Sequence, residues 1–240
     1  MRRLEREAAL AGGAVHALLG NHEVARMLGD LRYVDRGEYR AFVTSDSEEL
    51  RQRFMDIAKP ENRKEMLKIT PLGSLELQVA FGPDGEYGKW LRTLDTVAKI
   101  NGVLFVHGGI SPAVAPTSCD EINTTVRREL TADFEKTRNA PLASLSARED
   151  GPLWYRGLAE QPDSFGPEVD EVLAKQDARA IVVAHTVSAT VRIRVRYGGK
   201  VIQIDTGMQP AYVPKGRASA LEIRGGQYTA IYQDRRELLF

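Results

Sequence analysis

Three short apolar runs in this chain each stop at a polar residue able to bind a metal. Val15 to Leu19 ends in Gly20-Asn21-His22-Glu23, Val103 to Val106 in His107-Gly108-Gly109, and Ala180 to Ala184 in His185-Thr186. Runs of four or five apolar residues read as buried strands. The C-terminal ends of such strands are where α/β proteins place their chemistry. Any one of these blocks alone is a weak signal, but three of them in one chain form a pattern. Gly108 and Thr186 are small enough to let backbone come close to a metal or a phosphate.

Composition narrows the function classes. Lys and Arg number 33, as do Asp and Glu, so no broad basic face suits nucleic acid or an anionic membrane. The single cysteine, Cys119, excludes a disulfide framework or a cysteine-based zinc site within one chain and reads as structural. No apolar run approaches the roughly 20 residues that span a bilayer. The first residues, Met1-Arg2-Arg3-Leu4-Glu5, are not a signal peptide, because acids interrupt them and no apolar stretch follows. A cytoplasmic protein is expected on that basis; a leader on an upstream extension would make it periplasmic.

Taken in order, residues 2–11 read as an amphipathic helix stopped by Gly12-Gly13, 14–19 as a strand, 20–23 as the site loop and 24–28 as a short helix. Residues 32–40 read as polar and irregular. Helical spacing returns at 46–58, 61–68 and 86–99, with turn chemistry at Pro71, Gly73 and Gly82-Pro83-Asp84-Gly85. This middle region, about 40–100, reads as a helical insert. Helices are expected over 119–136 and 167–177. Thr190 to Arg196 with Val201 to Asp205, and Ala218 to Arg224 with Gln227 to Gln233, read as hairpins around Gly-Gly turns. Helices among strands early and hairpins late predict a mixed α/β fold, two packed sheets with helices outside, in one domain over 1–240.

Asn21 oxygen with the imidazoles of His107 and His185 suits a borderline ion such as Mn²⁺, Fe²⁺ or Zn²⁺, and three protein ligands leave positions open for water and substrate. His22 is left over as a proton donor or phosphate contact. Arg156 can grip two phosphate oxygens at once, although beside Trp154 and Tyr155 it serves equally well as a stacking residue. His16, inside the first run, reads as structural. A His-Glu-x-x-His zinc helix starting at His22 fails, because position 26 is Arg26.

Gly20-Asn21-His22-Glu23, His107-Gly108-Gly109 and His185-Thr186 resemble, in order, three signature blocks of the calcineurin-like metallophosphoesterases. Trp154-Tyr155-Arg156-Gly157 and Ile204-Asp205-Thr206-Gly207-Met208 are similar to the bacterial, Shewanella-like group of its phosphoprotein phosphatase branch. The resemblance implies a β-sandwich of two mixed sheets flanked by helices. It also implies a two-metal site, often Mn²⁺ or Fe/Zn, that activates a hydroxide for attack on a phosphomonoester. By the same resemblance Asn21, His107 and His185 bind the second metal, His22 protonates the leaving alkoxide and Arg156 holds the phosphate. Glu23 orients its neighbours, and the Asp205 loop borders the site.

Two family blocks, Gly-Asp-x-His-Gly and Gly-Asp-x-x-Asp-Arg-Gly, have no counterpart ahead of Gly20. Gly29-Asp30 and Asp35-Arg36-Gly37 imitate the second with the wrong spacing and order and read as an ordinary loop; the sharper alternative makes Asp30 or Asp35 a substitute ligand. The resemblance thus implies an N-terminally truncated phosphatase without its first strands, holding one ion or none, with weak or no activity. The competing readings are a pseudophosphatase that binds phosphorylated partners, a diadenosine tetraphosphatase-like hydrolase, and a fragment completed by another chain.

Overall fold

The three apolar runs meet different fates in the computed structural model, which describes residues 1–57, 59–209 and 213–240. Two of them become β2 (Val103–Val106) and β3 (Ala180–Val183), which lie side by side and parallel. With β1 (Val97–Ile100), β4 (Arg194–Arg196) and β5 (Val201–Gln203) they form a five-stranded sheet in the order β1-β2-β3-β5-β4. The inner strands β2, β3 and β5 are parallel, and β1 and β4 close the edges antiparallel. A second, three-stranded sheet holds β6 (Ser219–Arg224), β7 (Gln227–Tyr232) and β8 (Arg236–Leu238).

Both faces of the larger sheet are covered, which is why its central strands are continuously apolar. Side chains alternate between faces along a strand. Leu104, Val106, Ile181, Val183 and Val201 pack with Ile122, Val169, Val172 and Leu173 from the helices Cys119–Glu129 and Gly166–Lys175. Val103, Ala180, Val182 and Ile202 pack with Tyr228, Ala230 and Tyr232 of β7. The expected mixed fold of two sheets with helices outside is present. No helix of the described residues is long and apolar enough to cross a membrane.

By chain contacts the molecule divides into two compact units, Met1–Asn21 with Leu94–Phe240, and His22–Thr93. The first contains both sheets. The second is helical, with Arg36–Arg40, Ser47–Ile57, Arg63–Ile69, Ser74–Phe81 and Glu86–Leu91.

Several local expectations are corrected. The run 14–19 forms a single bridge, Leu18 to Asp95, rather than a strand. It meets the lead-in to β1 at that point alone before the chain turns into the helix Asn21–Met27. That helix places Asn21, His22 and Glu23 in a first turn and not in a loop. Residues 32–40 contain the helix Arg36–Arg40, started by an Asp35 capping box with Glu38. The helix expected over 86–99 stops at Leu91, and 97–100 is β1. The cause is Asn101-Gly102, both with positive φ (49° and 73°), a two-residue turn that commits the flanking residues to a hairpin. The helix expected over 119–136 splits into Cys119–Glu129 and Phe134–Asn139.

The β1 edge is finished by one side chain. Asn123 Oδ1 accepts from the backbone N–H of Thr96 (2.8 Å) and Val97 (3.0 Å), and its Nδ2 donates to the Val97 carbonyl (2.9 Å). Asn123→Ala leaves three backbone groups without these bonds. Its expected cost is about 1–3 kcal/mol, read as a lower denaturant midpoint at unchanged slope; a loss under about 0.5 kcal/mol would contradict this account.

Candidate functional site

Parallel pairing of Val106 with Val183 makes the two strands end together. The Ala184 N–H then donates to the His107 carbonyl at 2.9 Å, holding the two exits side by side. His185 follows in the left-handed region, φ 60°, inside a tight turn closed by the Thr186 N–H on the Ala184 carbonyl at 2.5 Å. Such a conformation costs energy for a residue with a Cβ and persists only where its surroundings enforce it.

That turn brings the rings of His107 and His185 to a centroid separation of 4.9 Å, with His107 Nε2 3.2 Å from His185 Nδ1. Asn21, 3% exposed, presents its Oδ1 2.7 Å from the same His107 Nε2. The carboxamide oxygen only accepts, and a neutral imidazole carries one N–H. With His107 in its Nδ1–H tautomer and His185 in its Nε2–H tautomer, three lone pairs face one another. One divalent cation would employ all three, and ligand atoms each about 2.1 Å from one ion stand about 3 Å apart, close to the separations here. The donor set fits a borderline metal ion. Among the described residues no group of three His, Cys, Asp or Glu is placed to hold a metal; this trio reaches three donors only through Asn21.

Arg156 lies against the same turn. Its Nη1 donates to the His185 carbonyl and to Thr186 Oγ1, both at 3.0 Å. Trp154 meets the His185 ring edge-on, with centroids 5.8 Å apart. This segment is seated by Gly108 and Gly109, whose N–H groups donate to the Pro152 carbonyl at 2.9 and 3.1 Å. A Cβ on Gly108 would stand 2.9 Å from three backbone atoms of 152–154, so only glycine permits the approach. Gln203, missed from sequence although it is a polar residue ending an apolar strand, donates its Nε2 to the Thr186 carbonyl at 2.6 Å. The Asp205 carbonyl accepts from Ser188 N–H at 2.9 Å, while the Asp205 carboxylate accepts from Gly207 N–H at 2.9 Å inside its own loop.

Asn21, His107, His185, Arg156 and the Asp205 loop thus gather in the first unit. His22 and Glu23 follow Asn21 in the chain and belong to the second. The His22 ring stacks on Tyr33 at 4.7 Å and 12°. Burial pushes the His22 pKa below the ordinary histidine value; Glu23 and Glu38 act to raise it and Arg26 to lower it. Asp30 is engaged by Arg32 at 2.6 Å, a hydrogen bond that holds its carboxyl below the usual range, and Asp35 caps a helix through Gly37 N–H at 2.7 Å. Both carboxylates have local structural work.

No protein-family model matches the chain. It is 25% identical over 210 residues to Shewanella-like protein phosphatase 1 of Plasmodium berghei, covering 86% of this chain and 51% of that protein. It is 25% identical over 241 residues to Shewanella-like protein phosphatase 2 of Arabidopsis thaliana, covering 93% of this chain and 60% of that protein. Among solved structures, the cold-active protein-tyrosine phosphatase of a psychrophilic Shewanella species superposes with a TM-score of 0.71 at 29% identity, covering 99% of this chain and 62% of that one. The chain spans between half and two thirds of the length of these relatives.

Because burial lowers the folded pKa of His22, the unfolded chain binds the extra proton between that value and the unfolded one near 6.5. Stability therefore falls as pH drops from about 6.5 through the folded pKa and levels off below it. The expected imidazole NMR titration of His22 has its midpoint under 6.5, and His22→Gln removes its share of the slope. A midpoint at or above 6.5 would overturn the assignment.

Proposed function

We propose that this chain, a homologue of the Shewanella-like protein phosphatases with their calcineurin-like fold, is a metal-dependent phosphomonoester hydrolase acting on phosphorylated Ser, Thr or Tyr side chains. The observation that carries this reading is the meeting of Asn21 Oδ1, His107 Nε2 and His185 Nδ1 beside a turn that also holds Arg156. Those three side chains would hold one divalent ion, Mn²⁺ by the family resemblance, with Fe or Zn alternatives that imidazole donors also suit. When bound, the ion supplies Lewis-acid charge to a phosphoryl group.

The chain's own residues supply the rest. Arg156 binds phosphoryl oxygens through its planar fork, held in place by the His185 carbonyl and Thr186 Oγ1. Water adds to phosphorus and gives up a proton to solvent, the ester P–O bond breaks, and the leaving oxygen is protonated, the role the signature block assigns to His22. Burial holds the His22 pKa down, and the Glu23 and Glu38 charges offset part of that effect toward the protonated ring that this step needs. The Asp205 loop, tied to Ser188, borders the phosphate position.

Among the described residues no group of three His, Cys, Asp or Glu adds a second metal position to this trio, and the sequence given holds neither Gly-Asp-x-His-Gly nor Gly-Asp-x-x-Asp-Arg-Gly. Turnover should be slow, since one ion generates and aims a nucleophile poorly compared with two. The same fact favours a second reading, a pseudophosphatase that binds phosphorylated partners through Arg156 and one ion.

Loading with Mn²⁺, dialysis and metal counting should give at most one ion per chain, none in His107→Ala. Two ions would show that other side chains complete the site. Hydrolysis of p-nitrophenyl phosphate should be weak, require Mn²⁺ and vanish in His107→Ala. Arg156→Ala should lower kcat/KM by about 10–100-fold, the loss of a charge-assisted contact of about 1.5–3 kcal/mol. Folded, metal-loaded protein with no hydrolysis but with micromolar phosphopeptide binding would replace the enzyme by the pseudophosphatase.

A further inference from the structure

The helical unit 22–93 carries twelve Lys and Arg against thirteen Asp and Glu, so it has no overall basic character. Its cavity of about 610 Å³ nevertheless draws four cations, Arg36, Arg40, Arg51 and Lys68, and no acid into its lining. That volume lies within the range of small-ligand and peptide side-chain pockets.

The cations come from three helices. Arg36 and Arg40 stand four residues apart on Arg36–Arg40, an arrangement that places like charges on one face and destabilises the free helix. Both are exposed, and among the described residues neither has a carboxylate partner. Arg51 on Ser47–Ile57 pairs with Glu48 at 2.8 Å, and Lys68 on Arg63–Ile69 pairs with Glu65 at 3.0 Å. Both acids are 70% exposed. Such surface pairs contribute little and are readily exchanged for a better-placed anion.

The same cavity is also lined by aliphatic side chains. Val43 is 43% exposed and Ile69 71% exposed, and Leu72 also lines the cavity. This wall is fixed. Gly73, with φ 86°, packs so closely on the end of Arg36–Arg40 that a Cβ there would stand 2.0 Å from the Tyr39 carbonyl oxygen. The cavity is therefore a concave surface lined by guanidinium groups without carboxylate partners among the described residues, Arg36 and Arg40, together with exposed aliphatic side chains.

We propose that this cavity is a docking site for an acidic peptide segment that carries an aliphatic side chain among its carboxylates. Carboxylates match the Arg36 and Arg40 forks and relieve their mutual repulsion, while the aliphatic group covers Val43, Ile69 and Leu72. A small inorganic anion would satisfy the cations and leave that wall in water. The site is built by 22–93 alone, and its ligand is bound without turnover, so it does not rest on the phosphatase reading.

The test uses the full chain and a fluorescein-labelled peptide of six glutamates around a central pair of leucines, with anisotropy read at low ionic strength. Saturable binding is expected, weakening about tenfold or more in Arg36→Gln/Arg40→Gln and unchanged in the control Lys64→Gln/Lys89→Gln, whose lysines lie outside the cavity. Ile69→Ser, at an exposed position that spares folding, should weaken the leucine peptide and leave a serine-substituted peptide unaffected. Absence of saturable binding, equal losses in the two charge variants, equal affinity of the leucine and serine peptides, or displacement by inorganic phosphate at the peptide's own concentration would each overturn the proposal.

Discussion

One backbone hydrogen bond, from the Ala184 N–H to the His107 carbonyl, holds the arrangement on which the site depends. It extends the parallel register of β2 and β3 one step beyond the sheet. A shift of one residue would send every side chain of one strand to the opposite face. It would move Ile181 and Val183 from the face packed on the helices to the face packed on β7. The two-sided core and the meeting of the His107 and His185 rings are therefore the same constraint: satisfying one satisfies the other.

Around that register the structure is tightened by small residues and by strain. Gly108 admits the 152–154 backbone, and the left-handed His185 swings its ring toward His107 instead of continuing the strand. Gln203 and Ser188 then tie the ends of β5 and of the turn together through backbone carbonyls. None of these contacts is strong by itself. They act jointly because each fixes a different segment to the same few residues, so a displaced segment would have to break several bonds at once.

The central strands and both late hairpins were legible in the sequence, because a strand buried on both faces must be apolar throughout and a Gly-Gly turn is hard to mistake. The helix Asn21–Met27 was legible only from Val24 on, because its first residues are those of the signature block and read as a loop. Strand β1 was missed because Trp90, Leu91, Leu94 and Val97 fall at helical intervals; the Asn101-Gly102 turn overrode that spacing. Ser74–Phe81 shows no polar face to set its period, and β8, Arg236–Leu238, is too charged and short to read as a strand without its partner β7. Of the site, residue types and order were readable, whereas the distances were not, since they follow from a crossover that no local pattern encodes.

The separation of the donors along the chain bears on how the protein acquires its shape. His107 and His185 are 78 positions apart, and Asn21 lies 86 positions before His107. The β6–β7 hairpin, closed by two glycines, can form within about 1–10 μs. The donor trio must wait until two long loops have closed and the parallel pair has registered, which is intrinsically slow. Closure of those two loops is thus a precondition for the three atoms to meet.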